Sequence, residues 1–182
     1  MLPYYYCCIG EHCATRDRAI GGDEERRRAS PLQRAMDTAA CIAQACRVPL
    51  EPMPDLREIH CGDLEGEAIS SVQRRLPVLW ALNESESDDD FRWPGGESYR
   101  DLRQRVVASL EQARRACAGG TAAVVTHAGP VTQALNWVRH VPPRLWKANR
   151  PDNGSITELY FSDQGVRLGR FGVYPEDWQR SA

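Results

Sequence analysis

Three short segments place reactive side chains where strands and helices meet. Val124-Val125-Thr126-His127-Ala128-Gly129 reads as an apolar strand running straight into a helix, with His127 at the junction. Ligands of open α/β sheets gather beyond the carboxyl ends of the strands. A helix that starts there offers free backbone N–H groups and a partial positive charge, both of which favour an anion. His127 could donate to a phosphate oxygen at that point; a structural histidine is the plainer alternative. Ser30-Pro31-Leu32-Gln33-Arg34-Ala35 places Arg34 in the first turn of another helix, where a planar guanidinium either binds the same anion or faces solvent. The third segment runs from Leu56 to Gly66 and carries Glu58 between Leu56 and Ile59. A carboxyl group beside bound phosphate is pushed up in pKa by charge repulsion, and it can then protonate a leaving alkoxide. An ordinary surface glutamate is the alternative there.

The elements that must position these residues follow from the periodicity. Ser30-Pro31 looks like an N-cap followed by a first-turn proline. Leu32, Ala35, Met36, Ala39, Ile42 and Ala43 then recur at helical spacing, which predicts a helix from Ser30 to Cys46. Leu50 to Pro54 is extended, and Ala68 to Arg75 is a short helix. The acidic run Glu84 to Asp90 reads as a solvated loop, and Pro94-Gly95-Gly96 as a turn. Tyr99, Leu102, Val106, Leu110, Ala113 and Cys117 form a helical stripe that stops at Gly119-Gly120. Thr121 to Thr126 is a short apolar strand, and the helix after it runs from Gly129 to about His140. Ser155 to Phe161 and Val166 to Val173 read as strands joined by Asp163-Gln164-Gly165. Alternating strands and helices predict a three-layer α/β sandwich, a mainly parallel sheet with helices on both faces. No internal repeat or linker interrupts it, so a single domain over 1–182 is expected, regular from 30 onward and irregular over 1–29.

The bulk numbers exclude several classes. At 182 residues the chain can bury a real core, and its formal net charge of -2 argues against binding nucleic acid or a membrane surface through bulk charge. No apolar run approaches the roughly 18 residues needed to span a bilayer, and the first ten residues lack the basic lead of a signal peptide. Seven irregularly spaced cysteines do not form a secreted disulfide framework. Reduced thiols in a cytoplasmic protein are expected. Cys7, Cys8, His12 and Cys13 lack the spacing of a zinc site, so no metal and no cofactor are expected.

Taken in order, S-P-L-Q-R-A, L-R-E-I-H-C-G-D-L-E-G, P-G-G-E-S-Y-R-D-L-R-Q-R-V, V-V-T-H-A-G-P-V and N-G-S-I-T resemble the histidine phosphatase (phosphoglycerate-mutase-like) superfamily. The resemblance covers roughly Ser30 to Phe161. It implies metal-independent phosphate-ester chemistry through a phosphohistidine. Arg34 would bind phosphate, Glu58 would be the general acid/base and His127 the second, phosphate-binding histidine. Glu97 and Ser98 would line or support the pocket. The partner implied is a small-molecule phosphate ester; phosphatase and mutase stay undivided, and homo-oligomerisation stays open.

The N-terminal segment departs from the pattern. Such proteins begin with a strand ending in Arg-His-Gly, whose histidine carries the phosphoryl group. The nearest text is Ile9-Gly10-Glu11-His12-Cys13, with glutamate in place of arginine and cysteine in place of glycine. No apolar run that could form a central strand precedes Ser30. Three readings stand together: a truncated or misread start without the catalytic strand, a displaced nucleophile at His12, or a pseudoenzyme that keeps the phosphate pocket as a binding module. A nucleophilic His12 would need the strand Tyr4 to Ile9 beside Thr121 to Thr126. Glu11 would then repel phosphate where the family attracts it, so a competent site is not expected from His12.

Overall fold

The computed structural model describes residues 5–10, 27–117 and 120–177, with backbone alone for 5–10 and 27. Six strands form one sheet: β1 (Tyr5–Gly10), β2 (Arg27–Ala29), β3 (Leu50–Pro52), β4 (Thr121–Thr126), β5 (Ile156–Ser162) and β6 (Gly165–Leu168), in the spatial order β3-β2-β4-β1-β5-β6. β2 runs parallel to both β3 and β4, and β1 parallel to β5. The sheet is therefore mainly parallel, with antiparallel pairing of β1 to β4 and of β5 to β6.

Helices cover both faces. Successive residues of a strand point to opposite sides, and in β4 Val124 packs into one cluster while Val125 packs into the other. On the Val125 face lies α1 (Gln33–Cys46), whose buried positions are Ala35, Ala39 and Ala43. These small side chains at helical spacing let the helix approach the sheet closely. On the Val124 face lie α4 (Tyr99–Ala116) and α5 (Ala128–Val138), which contribute Leu102, Val106, Leu110, Val131 and Leu135 to the larger cluster. β4 is an interior strand, buried from both sides, as its continuous apolar run requires.

Several local expectations are corrected. Ser30 is not the cap of α1. Its N–H still donates to Val125 O at 2.9 Å, so it extends β2, and Leu32 stands at the N-cap. A strand does precede Ser30, although it has no apolar run. β2 is Arg-Arg-Ala, and the buried Arg28 guanidinium pairs with Glu51 at 3.2 Å and contacts Cys117 Sγ at 3.5 Å. The acidic run is largely exposed, as a solvated loop should be, but its first residue, Glu84, ends a helix not expected from the sequence. α2 (Ile69–Arg75) is followed by α3 (Pro77–Glu84), and Asp89 beyond it pairs with Arg144 at 3.2 Å. α5 stops at Val138, and His140 turns into the left-handed region at φ 56°. β6 ends at Leu168, but Gly169, Arg170 and Val173 still exchange backbone hydrogen bonds with Glu158 and Ile156 of β5, so the chain stays along the sheet to Val173. No helix of the described residues is long and apolar enough to cross a membrane.

Candidate active site

The carboxyl ends of β2, β3 and β4 open on a cavity of about 850 Å³, lined by Arg34, Glu58, Glu97 and His127 together with Arg57, Arg105 and Arg150. Three of the residues singled out in the sequence, from segments separated by dozens of positions, thus meet in one place. Glu97 joins them at the wall.

His127 is held by strand and helix at once. It ends β4 in an extended conformation and is the N-cap of α5. Its side chain is 1% exposed, and Nε2 lies 2.8 Å from Ser30 Oγ. The Ser30 hydroxyl also accepts from Leu32 N at 3.3 Å, so the turn before α1 is fastened to the end of β4. Burial, with the Arg34 and Arg105 charges nearby, pushes the imidazole down to about 4. At neutral pH it is uncharged, with one ring nitrogen available as a donor.

Glu58 sits in irregular chain between single 3-10 turns at Pro54–Leu56 and Gly62–Leu64. Its Oε1 accepts from its neighbour Ile59 N at 2.9 Å and from Gly129 N at 3.1 Å. A first-turn amide of α5, expected to be open to an anion, is thus taken by the protein's own carboxyl group. Burial raises the Glu58 pKa, and the two amides together with Arg34 and Arg105 oppose that rise. With no side chain at Gly129, the Glu58 carboxyl group can close onto its amide; a Cβ there would push Glu58 Oε1 aside. β4 braces the same loop, with Thr126 Oγ1 donating to Leu56 O at 2.6 Å.

Arg34 lies in the first turn of α1 and is half-buried. Among the described residues nothing forms a hydrogen bond or ion pair with its guanidinium, which leaves the fork open to the cavity. Glu97 is spoken for: Arg105 grips it through two hydrogen bonds, and it accepts from His60 N at 2.8 Å. Ser98 does not line the cavity. It is wholly buried as the N-cap of α4, in a reciprocal capping box with Asp101, and so supports the helix that carries Arg105. His12 lies outside the described residues. The described part of β1 pairs Tyr5 with Thr126 and Gly10 with Thr121. Its last residue therefore stands at the end of β4 remote from His127, roughly 20 Å away at the usual rise per strand residue.

Sequence reasoning passed over Ser30 as the histidine's partner, and over Arg105 and Arg150 as cavity residues. Arg105 follows the stripe position Leu102 by three, a spacing that could have flagged it as facing the core side of α4. Arg150 carries no comparable signal. Cys61 lines the wall as a thiol, pushed up to about 11 by burial and by Glu65, Glu58 and Glu97. Among the described residues no group of three His, Cys, Asp or Glu side chains is placed to hold a metal ion.

Comparison with known proteins agrees with this architecture. The model of the histidine phosphatase superfamily (branch 1) matches residues 13–173. The chain belongs to that superfamily. It is similar to a metal-independent phosphoserine phosphatase of Arabidopsis thaliana, 39% identical over 151 residues, which are 79% of this chain and 60% of that protein. It is also similar to a probable phosphoglycerate mutase GpmB of Yersinia enterocolitica, 28% identical over 134 residues, 74% of this chain and 62% of that one. The chain thus spans about three fifths of the length of these curated relatives. Among solved structures, a mycobacterial glucosyl-3-phosphoglycerate phosphatase with inorganic phosphate superposes with a TM-score of 0.68 at 20% identity, over 94% of this chain and 98% of that one. YhfR of Bacillus stearothermophilus superposes with a TM-score of 0.72 at 17% identity, over 93% and 97%. These two likenesses show the fold.

Proposed function

We propose that the cavity binds the phosphoryl group of a small phosphate monoester, and that the chain holds this group without passing it to a histidine. Arg34 supplies an open guanidinium fork, the arrangement that suits a phosphate dianion best. Neutral His127 donates a single hydrogen bond from beneath. Glu58, its pKa raised by burial, stands where a carboxylic acid can donate to the ester oxygen. Both the metal-independent phosphatase and the phosphate-bound structure among the proteins similar to this chain fit such a ligand.

The observation that carries the second half of the reading is the direction of β1. Phosphorus must be attacked in line from about 3–3.5 Å. Gly10, the last described residue of β1, lies at the end of β4 remote from the cavity. A phosphohistidine at His12 is therefore not part of the proposal.

A second reading, turnover as a phosphomonoesterase, is favoured by the placement of Glu58. In it a histidine nitrogen attacks phosphorus, the ester P–O bond breaks, and Glu58 gives its proton to the departing oxygen. The Glu58 carboxylate then takes a proton from a water whose oxygen attacks the phosphorus, the P–N bond breaks, and phosphate and the free histidine are released. The two readings part in one experiment, titration calorimetry with inorganic phosphate beside a chromogenic aryl-phosphate assay with and without chelator. Saturable binding without turnover supports the first. Turnover unaffected by the chelator supports the second, and neither binding nor turnover rejects both.

A further inference from the structure

Arg105, on α4, holds three carbonyls of the chain around Glu58. Its Nη1 donates to the carbonyl oxygens of Asp55 at 2.6 Å and Arg57 at 2.8 Å, and its Nη2 to that of Glu58 at 3.1 Å. The same fork holds both carboxylate oxygens of Glu97, Nε to Oε2 at 2.8 Å and Nη2 to Oε1 at 2.5 Å. Glu97 in turn pairs its backbone with His60, its N–H donating to His60 O at 3.0 Å while its Oε1 accepts from His60 N at 2.8 Å. One guanidinium on a regular helix thus fastens the chain on both sides of Glu58. We propose that Arg105, clamped by Glu97, is the positioning residue that keeps the Glu58 carboxyl group in the cavity against the N-terminus of α5.

The reason lies in the chain around Glu58. It sits in neither helix nor strand, so no repeating ladder satisfies the carbonyls there, and partly buried carbonyls need donors. A guanidinium presents five donors in a rigid plane and can serve three carbonyls and a carboxylate together. An ammonium is a point charge and cannot hold that geometry. Without the fork the loop is free to turn its carbonyls to water. The Glu58 carboxyl group would then leave Ile59 N and Gly129 N. The proposal deepens the phosphate-ester reading, because Glu58 belongs to that site, but the holding itself needs no ligand and is tested without one.

The charged and titratable groups facing Glu58 are Arg34 from α1, Arg105 from α4, His127 ahead of α5, and Cys61 with Glu97 behind it. The experiment follows the carboxyl-carbon resonance of Glu58, assigned by its loss in Glu58→Gln, through a pH titration of the ligand-free full chain. The wild type is compared with Arg105→Lys, Glu97→Gln and Arg114→Lys, whose native arginine pairs with Glu111 on the same helix. The proposal expects Arg105→Lys to lower the Glu58 midpoint toward that of a solvated glutamate, although the positive charge is kept. The Gly129 amide should then cease to follow the titration. Glu97→Gln should move the midpoint the same way, and Arg114→Lys should leave it in place. An unchanged midpoint in Arg105→Lys, even with a lower melting temperature, would reduce Arg105 to a stabilising residue and overturn the proposal. If that variant does not fold, an unchanged midpoint in Glu97→Gln overturns it equally. Failure of the wild type to bind phosphate would remove the ligand reading and leave this result untouched.

Discussion

His127 makes the stability of this fold depend on pH in a way that can be calculated. Free histidine titrates near 6.5, and in the folded chain burial pushes His127 to about 4. Below pH 6.5 the unfolded chain takes up a proton that the folded chain refuses, so folding weakens as pH falls. The contribution is whole above about pH 6.5 and is lost progressively down to about pH 4. One pKa unit is worth about 1.4 kcal/mol, so between pH 7 and pH 5 the loss at this residue alone comes to about 2 kcal/mol. Glu58, with its pKa raised, works in the opposite sense: its ionisation disfavours the fold as pH rises. Urea unfolding of the wild type and of His127→Gln, taken at half-unit steps from pH 7.5 to 5, isolates the histidine. The wild-type free energy should fall toward that of the variant by about 2 kcal/mol across the range. Parallel curves would mean that His127 titrates normally, and that the buried, uncharged imidazole assigned here is wrong.

Other perturbations test the remaining parts. Gly129→Ala puts a methyl group where Glu58 Oε1 rests, so the carboxyl group must swing off the Gly129 amide; calorimetry should show phosphate affinity down tenfold or more, with little stability lost in urea unfolding, since the end of a flexible side chain gives way. Arg34→Gln should weaken phosphate binding at least tenfold while leaving the melting temperature within a few degrees, and the His127 midpoint, read from its ring-proton resonance, should rise as a depressing charge is removed. Leu102→Ala empties a core position that is 1% exposed and should cost about 2–5 kcal/mol in denaturant unfolding.

Most of the architecture could be read from periodicity, and the exceptions have physical causes. α1, α4 and β4 each bury a face of regular spacing, which is what a sequence pattern records. β2 escaped because its three residues, Arg27 to Ala29, contain no apolar run. Its central place depends on Glu51 and Cys117 accepting the Arg28 guanidinium, partners far apart in the chain. α3 escaped because the acidic run after it drew the reading toward solvent, whereas Asp89 and Asp90 are matched by Arg144 and Arg100. The cavity was legible in Arg34, Glu58 and His127 because each lies at the end of a recognisable element. Whether Ser98 lines the cavity or supports it stayed open, because a turn motif does not reveal whether its serine faces the cavity or caps the next helix. The direction of β1 could not be read at all, since alternation and hydrophobicity are the same from either end of a strand.

The most direct test of the central claim is equilibrium dialysis of the full chain against a radiolabelled aryl phosphate, followed by acid-free denaturation to separate bound from covalent label. The account predicts saturable binding at one site, all of the label released as intact ester, and the same result for His12→Ala. Absence of saturable binding would contradict the phosphate cavity. An acid-labile label that stays on the wild-type chain and disappears in His12→Ala would contradict the claim that this chain holds a phosphoryl group without carrying it.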